Sequence, residues 1–158
     1  MYQILTTLAL MVCMAGNAQD TTLIPMRKGN KWGYCLPDKK MVVAPVFDEA
    51  DIFYGPLTTA KQDGDYCIID RGGSVLYRSK KFCYTTNEGK YFVAGPHYDS
   101  VRLYDEHGNA VTPVYNKIGQ FNKYGYAEVT KGYVLQGLID ATYAEVLKPA
   151  WGSITFFS

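Results

Sequence analysis

One pattern recurs along this 158-residue chain: proline, any residue, an aromatic, two residues, Ala or Ile, two residues, phenylalanine. It occurs as Pro45-Val46-Phe47 with Ala50 and Phe53, as Pro113-Val114-Tyr115 with Ile118 and Phe121, and as Pro149-Ala150-Trp151 with Ile154 and Phe157. The prolines are 68 and 36 residues apart, which implies a further copy between the first two; Phe82 takes its aromatic position and the proline is lost. Asp70, Asp105 and Asp140 follow one another at intervals of 35, each after Ile69, Tyr104 or Ile139. Gly55, Gly89 and Gly125 repeat at 34 and 36. Three series with one period mean tandem units, placed at about 22–55, 56–89, 90–124 and 125–158.

Loose alternation at Tyr126-Ala127-Glu128-Val129, an apolar run from Val134 to Ile139, and Val111 with Val114 and Tyr115 after a turn predict three short strands per unit and no helix. The turns carry their own chemistry. In Asp70-Arg71-Gly72-Gly73 and Asp105-Glu106-His107-Gly108 a carboxylate caps nearby backbone donors and a glycine three residues on accepts positive φ. Fourteen tyrosines and an aromatic share of 15% suit pleated surfaces. A unit of this size cannot bury its own apolar face, so neighbours must complete the core. The expected fold is all-β: about four short antiparallel β-meander units in tandem, forming a twisted array or a propeller-like ring.

Residues 1–18 differ from the rest. No charged side chain precedes Asp20, and Ile4 to Gly16 is mostly apolar, too short for a membrane span of about 20 residues. Gly16-Asn17-Ala18 suits cleavage before Gln19, so 1–18 reads as a signal peptide and 19–158 as the β-repeat domain, secreted, periplasmic or envelope-associated, with no transmembrane span in the mature chain. A lipoprotein reading through Cys13 is disfavoured because Val12 stands where a small residue is normal. Cys35, Cys67 and Cys83 then remain, at spacings of 32 and 16 that match no zinc or redox motif. They read as small apolar side chains of buried strands, with at most one disulfide among them.

The unit resembles the bacterial WG repeat. Lys31-Trp32-Gly33-Tyr34-Cys35 supplies the Trp-Gly pair, and the stretch from Tyr104 through Asp105, Gly108, Val111 and Pro113 to Tyr115 follows the middle of the motif. Gln136-Gly137-Leu138-Ile139-Asp140 matches with the tryptophan replaced, Tyr66-Cys67 and Val101-Arg102 occupy the Trp-Gly positions of the second and third units, and Trp151-Gly152 sits at the Pro-x-aromatic site. The resemblance implies a secreted or envelope-associated bacterial protein with a non-enzymatic role, and it transfers no catalytic residues.

No chemistry stands out. With sixteen basic and fifteen acidic side chains the net charge is +1, so nothing draws a nucleic acid or an anionic membrane. His97 and His107 are isolated, without metal-ligand spacing, and there is no Gly-x-Ser-x-Gly elbow or phosphate-binding loop. A cysteine nucleophile paired with either histidine has no local support. Asp48-Glu49, Asp51, Asp63 with Asp65, and Asp105-Glu106 fall at predicted turns, where solvated acids are the default, although two acids at a set separation would serve a polysaccharide hydrolase. No catalytic, metal or cofactor-binding residue is assigned, and no cofactor is expected.

Two functions are carried forward. The first is an interaction or scaffold module of the cell envelope whose partner is another envelope or extracellular protein. The second is carbohydrate binding by exposed aromatics, although an aromatic recurring once per unit at Phe47, Phe82, Tyr115 and Trp151 is expected to form a core layer.

Overall fold

The computed structural model describes residues 22–155 except Asn87 and Tyr133. The expected signal peptide at 1–18, Cys13 and Phe157 lie outside the described residues. Fourteen strands and no helix occur among those residues. Strands β1 (Ile24–Lys28), β2 (Lys31–Cys35) and β3 (Met41–Phe47) form the first sheet. β4 (Glu49–Ala50), β5 (Leu57–Gln62), β6 (Asp65–Asp70) and β7 (Val75–Ser79) form the second. β8 (Cys83–Thr86), β9 (Tyr91–His97) and β10 (Ser100–Tyr104) form the third. β11 (Lys117–Ile118), β12 (Tyr126–Lys131), β13 (Leu135–Asp140) and β14 (Glu145–Trp151) form the fourth. Every pairing is antiparallel.

Each sheet after the first opens with a short strand that crosses over from the preceding one. β4 lays Ala50 against Ala60 of β5, β8 lays Cys83 against Ala94 of β9, and β11 lays Ile118 against Val129 of β12. In the second and fourth sheets the expected three strands are therefore joined by a fourth. Two of these short strands are only two residues long, so no alternation marks them in the sequence. The expected third strand at 111–115 does not form: this segment makes only the bridges Tyr104↔Ala110 and Val101↔Tyr115. Pro113 has no N–H to give, and Leu103 N donates to Thr112 Oγ1 at 3.0 Å in place of a backbone acceptor.

The turns follow the predicted chemistry. Asp70 Oδ1 accepts from the N–H groups of Gly72 and Ser74, both at 2.8 Å. Asp105 Oδ1 accepts from His107 and Asn109, and Asp140 Oδ1 from Thr142 and Ala144. The third residue after each aspartate has positive φ, at Gly73, Gly108 and Tyr143. In the first unit Leu36 replaces the aspartate and exposed Lys39 holds φ 69°. An L side chain in that region costs about 1–2 kcal/mol. Lys39→Gly is therefore expected to raise stability by about 0.5–1 kcal/mol after the extra entropy of an unfolded glycine, read as a higher melting temperature.

The Trp-Gly pair has a physical cause. Trp32 pairs with Phe47 and Tyr34 with Val43, so two steps on β2 face four on β3, and Pro45 lies in the resulting bulge. β13 and β14 repeat this geometry, Gln136 facing Trp151 and Leu138 facing Leu147 around Pro149. The bulged backbone crosses directly over the intervening glycine. A Cβ on Gly33 would meet Val43 O and come within 2.8 Å of Ala44 C and O; one on Gly137 would lie 2.5 Å from Leu147 O and 2.7 Å from Pro149 N. In the second unit the proline is missing and Tyr66, Cys67 and Ile68 pair one for one with Ser79, Arg78 and Tyr77. Without the bulge a side chain fits, so Cys67 stands where Gly33 and Gly137 stand in the first and fourth units.

The four sheets pack in a row, with one core between each adjacent pair. Tyr34, Val43 and Phe47 meet Ala60, Cys67 and Ile69; Leu57 and Ile68 meet Cys83, Phe92 and Ala94; Val93, Val101 and Leu103 meet Ala127, Val129 and Ile139. The two inner sheets are covered on both faces, and Cys67, Ile68 and Ile69 on β6 and Phe92, Val93 and Ala94 on β9 are all fully buried. Among the described residues no core cluster joins the first sheet to the fourth, so the array is open rather than ring-closed.

Candidate ligand-binding site

The described surface offers one groove built on stacked aromatics. Phe82 precedes β8, Tyr84 lies on β8, Tyr98 occupies the β9–β10 turn, and Val101, Lys117 and Ile118 complete a cavity of about 330 Å³. Phe82 and Tyr98 stack with centroids 4.8 Å apart and planes 12° apart; Phe82 and Tyr84 lie at 6.3 Å and 27°. Tyr98 OH donates to Lys81 O at 3.2 Å, and the ring stays 69% exposed. Tyr84 OH donates to Ile118 O at 3.1 Å, and burial pushes its pKa up, keeping it a neutral donor. Below the groove Asn116 ties two turns together: its Nδ2 donates to Asp99 O at 2.9 Å and its Oδ1 accepts from Gly132 N at 2.6 Å. The arrangement offers an open ring face, an apolar floor and one ammonium, suited to a flat apolar surface with a polar rim.

The larger cavity, about 490 Å³, is lined by Pro56, Lys90, Tyr91, Asp105, Glu106 and His107. His107 Nε2 lies 3.7 Å from Glu106 Oε1 in a solvated turn. Asp105 is committed to that turn. Burial pulls its pKa upward, but hydrogen bonds from the Asn109 side chain and from the backbone of Asn109 and His107 outweigh it, leaving the pKa below the usual value. His97 is exposed at the end of β9. No cluster of three or more possible metal ligands occurs among the described residues.

Cys35, Cys67 and Cys83 are buried free thiols. Burial raises the pKa of Cys67 and pushes Cys83 up to about 12, so neither supplies a thiolate nucleophile at neutral pH. Three of the acids named from the sequence form ion pairs. Asp48 Oδ1 takes a 2.6 Å bond from Lys31 Nζ, Glu49 Oε1 a 2.9 Å bond from Lys61 Nζ, and Asp65 Oδ2 lies 4.0 Å from Arg78 Nη1. Asp63 forms a two-residue hairpin turn with Gly64, both at positive φ, and the Asp51 carbonyl accepts from Tyr34 OH at 2.9 Å. A glycosidase acid needs a raised pKa. The carboxyls that shift move down instead: Asp48 through Lys31 and then Gly64 N–H, Asp140 through the Thr142 hydroxyl and, against the opposing effect of burial, the backbone N–H groups of Thr142 and Ala144, and Asp105 as above.

These depressed values set an acid limit. A carboxylate whose folded pKa lies below its unfolded value stabilises the fold above the unfolded pKa and loses that contribution as pH falls through the folded one. Stability is expected to hold from neutral pH to about pH 5 and to fall below the ordinary carboxylate value of 3.8. In Asp140→Asn this decline should be shallower, as read from denaturation midpoints along a pH series.

Of the recurring aromatics, Phe47 and Tyr115 are buried as expected, at 1% and 2% exposure. Phe82 is half-buried, packed against the core that holds Tyr115, whereas Trp151 is 55% exposed because no described sheet covers that side of β14, which corrects the expectation of a core layer at Trp151. The sequence gives no signal for Tyr98 beyond a bulky aromatic at a hairpin tip.

The model of the WG containing repeat matches residues 32–66 and 102–133. No curated protein matches the chain. The first match runs from Trp32 on β2 through β3, β4 and β5 to Tyr66 on β6, so it begins in one sheet and ends in the next. The second runs likewise from Arg102 on β10 through β11 and β12. A repeat of this phase links two sheets covalently, as the crossing short strands do by hydrogen bonds. On these two matches, the chain carries at least two copies of the WG containing repeat, one across the first pair of sheets and one across the last.

Proposed function

We propose that this array is an exported, non-catalytic module that presents an extended surface to another envelope or extracellular protein. The observation that carries the reading is the open row of sheets, whose surface displays large apolar side chains: Tyr54 at 80% exposure beside Ile52 at 53% is the strongest instance. Export rests on the apolar character of residues 1–18 and the Gly16-Asn17-Ala18 triplet. A photo-crosslinker placed at Tyr54 in the producing cell should capture one dominant protein, and Ile52→Ser should abolish capture without lowering the melting temperature. Capture at background from Tyr54 and from other exposed positions contradicts the reading.

The Phe82–Tyr98 groove favours a second reading, carbohydrate binding, because a sugar's C–H face fits an exposed tyrosine ring. A polysaccharide affinity gel should retard the chain, and Tyr98→Ala should release it with the fold intact. Retardation unchanged by that substitution removes the glycan site.

A further inference from the structure

We propose that copies of this chain join head to tail, with residues 151–155 of one copy completing the first sheet of the next. This goes beyond the partner reading above and stands or falls separately from it.

The inference comes from the junctions inside the array. In each sheet after the first, one residue of the first long strand faces the Trp-Gly glycine position on one side and the incoming short strand on the other. Ala60 faces Cys67 and Ala50; Ala94 faces Arg102 and Cys83; Val129 faces Gly137 and Ile118. The counterpart in the first sheet is Met26, which faces Gly33. Among the described residues β1 pairs only with β2, so no described strand pairs with Met26 on its other side.

The tail after β14 has the sequence of the missing strand. Ile154 follows Pro149 and Trp151 as Ile118 follows Pro113 and Tyr115, and as Ala50 follows Pro45 and Phe47. Its N–H is held by Gln136 Oε1 at 2.7 Å, which keeps the tail beside the fourth sheet. The internal junctions also fix the bonds to be made. Asp48 N and Asn116 N donate to Lys61 O and Thr130 O, and Asp51 N and Gly119 N donate to Thr59 O and Glu128 O. By the same register Gly152 N–H meets Arg27 O and Thr155 N–H meets Pro25 O of the next copy. The β1 position that is proline is thus one where both internal junctions use a carbonyl, which proline retains. A basic neighbour is no obstacle, since Lys61 occupies the position of Arg27 in the paired strand β5.

The sheet faces agree with the edges. Tyr34, Ile68 and Leu103, at the same position on β2, β6 and β10, are fully buried against the following sheet. Leu138, their counterpart on β13, is only half-buried, and Trp151, counterpart of buried Phe47 and Tyr115, is exposed. The end of the row therefore displays one half of an interface that the molecule already builds three times. Such a contact is heterologous, so it builds chains or rings of copies rather than an isologous dimer.

Sedimentation of the full chain across a concentration series should show a progressive rise in mass, accompanied by a blue shift of Trp151 emission. Ile154→Asp should weaken association at least about tenfold, because an ionised carboxylate would enter the slot that buries Ile118, while Ile154→Val should retain it. Mixing Met26→Cys with Ile154→Cys under oxidation should give a dimer bonded between positions 26 and 154, identified by mass spectrometry, and the double variant should give a ladder. A chain that stays monomeric at all concentrations, a mass rise insensitive to Ile154→Asp, or a 26–154 bond formed within one chain overturns the proposal.

Discussion

Gly33→Ala is expected to lower the unfolding free energy by about 3 kcal/mol, a large share of a typical domain's stability. The added Cβ would strike Val43 O and lie within 2.8 Å of Ala44 C and O, all backbone atoms rather than a flexible side-chain end. That backbone cannot withdraw freely. Pro45 shapes the bulge, and Phe47 at its end is buried to 1% in the first core, so moving the strand would pull the ring out. Gly137→Ala should behave alike, with Leu147 O at 2.5 Å. Gly152→Ala, with nothing within 4 Å of the new Cβ, should leave stability unchanged within about 0.5 kcal/mol. Urea titrations of the three variants make the comparison, and a Gly33→Ala midpoint equal to that of Gly152→Ala would falsify this account of the Trp-Gly pair.

Phe92→Ala should cost about 4 kcal/mol and also change the form of the transition. Phe92 is fully buried in the middle core, where its ring stacks on Tyr104 at 5.0 Å and lies 5.5 Å from Tyr77. Removing it opens the interface that joins the first two sheets to the last two. Each half keeps a core of its own, around Phe47 in one and Tyr115 in the other. Two unfolding steps are therefore expected in the variant and one in the native chain, and differential scanning calorimetry distinguishes them. A single transition displaced to lower temperature would mean that the halves are coupled through something other than this core.

The sequence exposes features that recur by type at a fixed spacing. The aspartate turns at Asp70, Asp105 and Asp140 are legible because capping needs a carboxylate at one position and a permissive residue three later. The period itself is legible for the same reason. The crossing strands are not, since Glu49–Ala50 and Lys117–Ile118 are too short to show a pattern and owe their conformation to a neighbouring sheet. The loss of glycine at Cys67 looks like simple divergence until the regular pairing opposite Arg78 shows that the bulge has gone with the proline. The aromatic groove is illegible because Phe82 and Tyr98 meet only through the geometry of β8 and the β9–β10 turn. Trp151 misleads for a related reason: its counterparts are buried by a following sheet, and burial is a property of that neighbour as much as of the residue.

Native-state hydrogen exchange tests most directly whether adjacent sheets stabilise one another. Amides of β6 and β9, whose sheets are covered on both faces, should exchange only through global unfolding, those of β1 and β14 should open at lower free energy, and Phe92→Ala should strip protection from β6 and β9 together. Four sheets that open independently, with β6 protection unaltered in Phe92→Ala, would contradict the account.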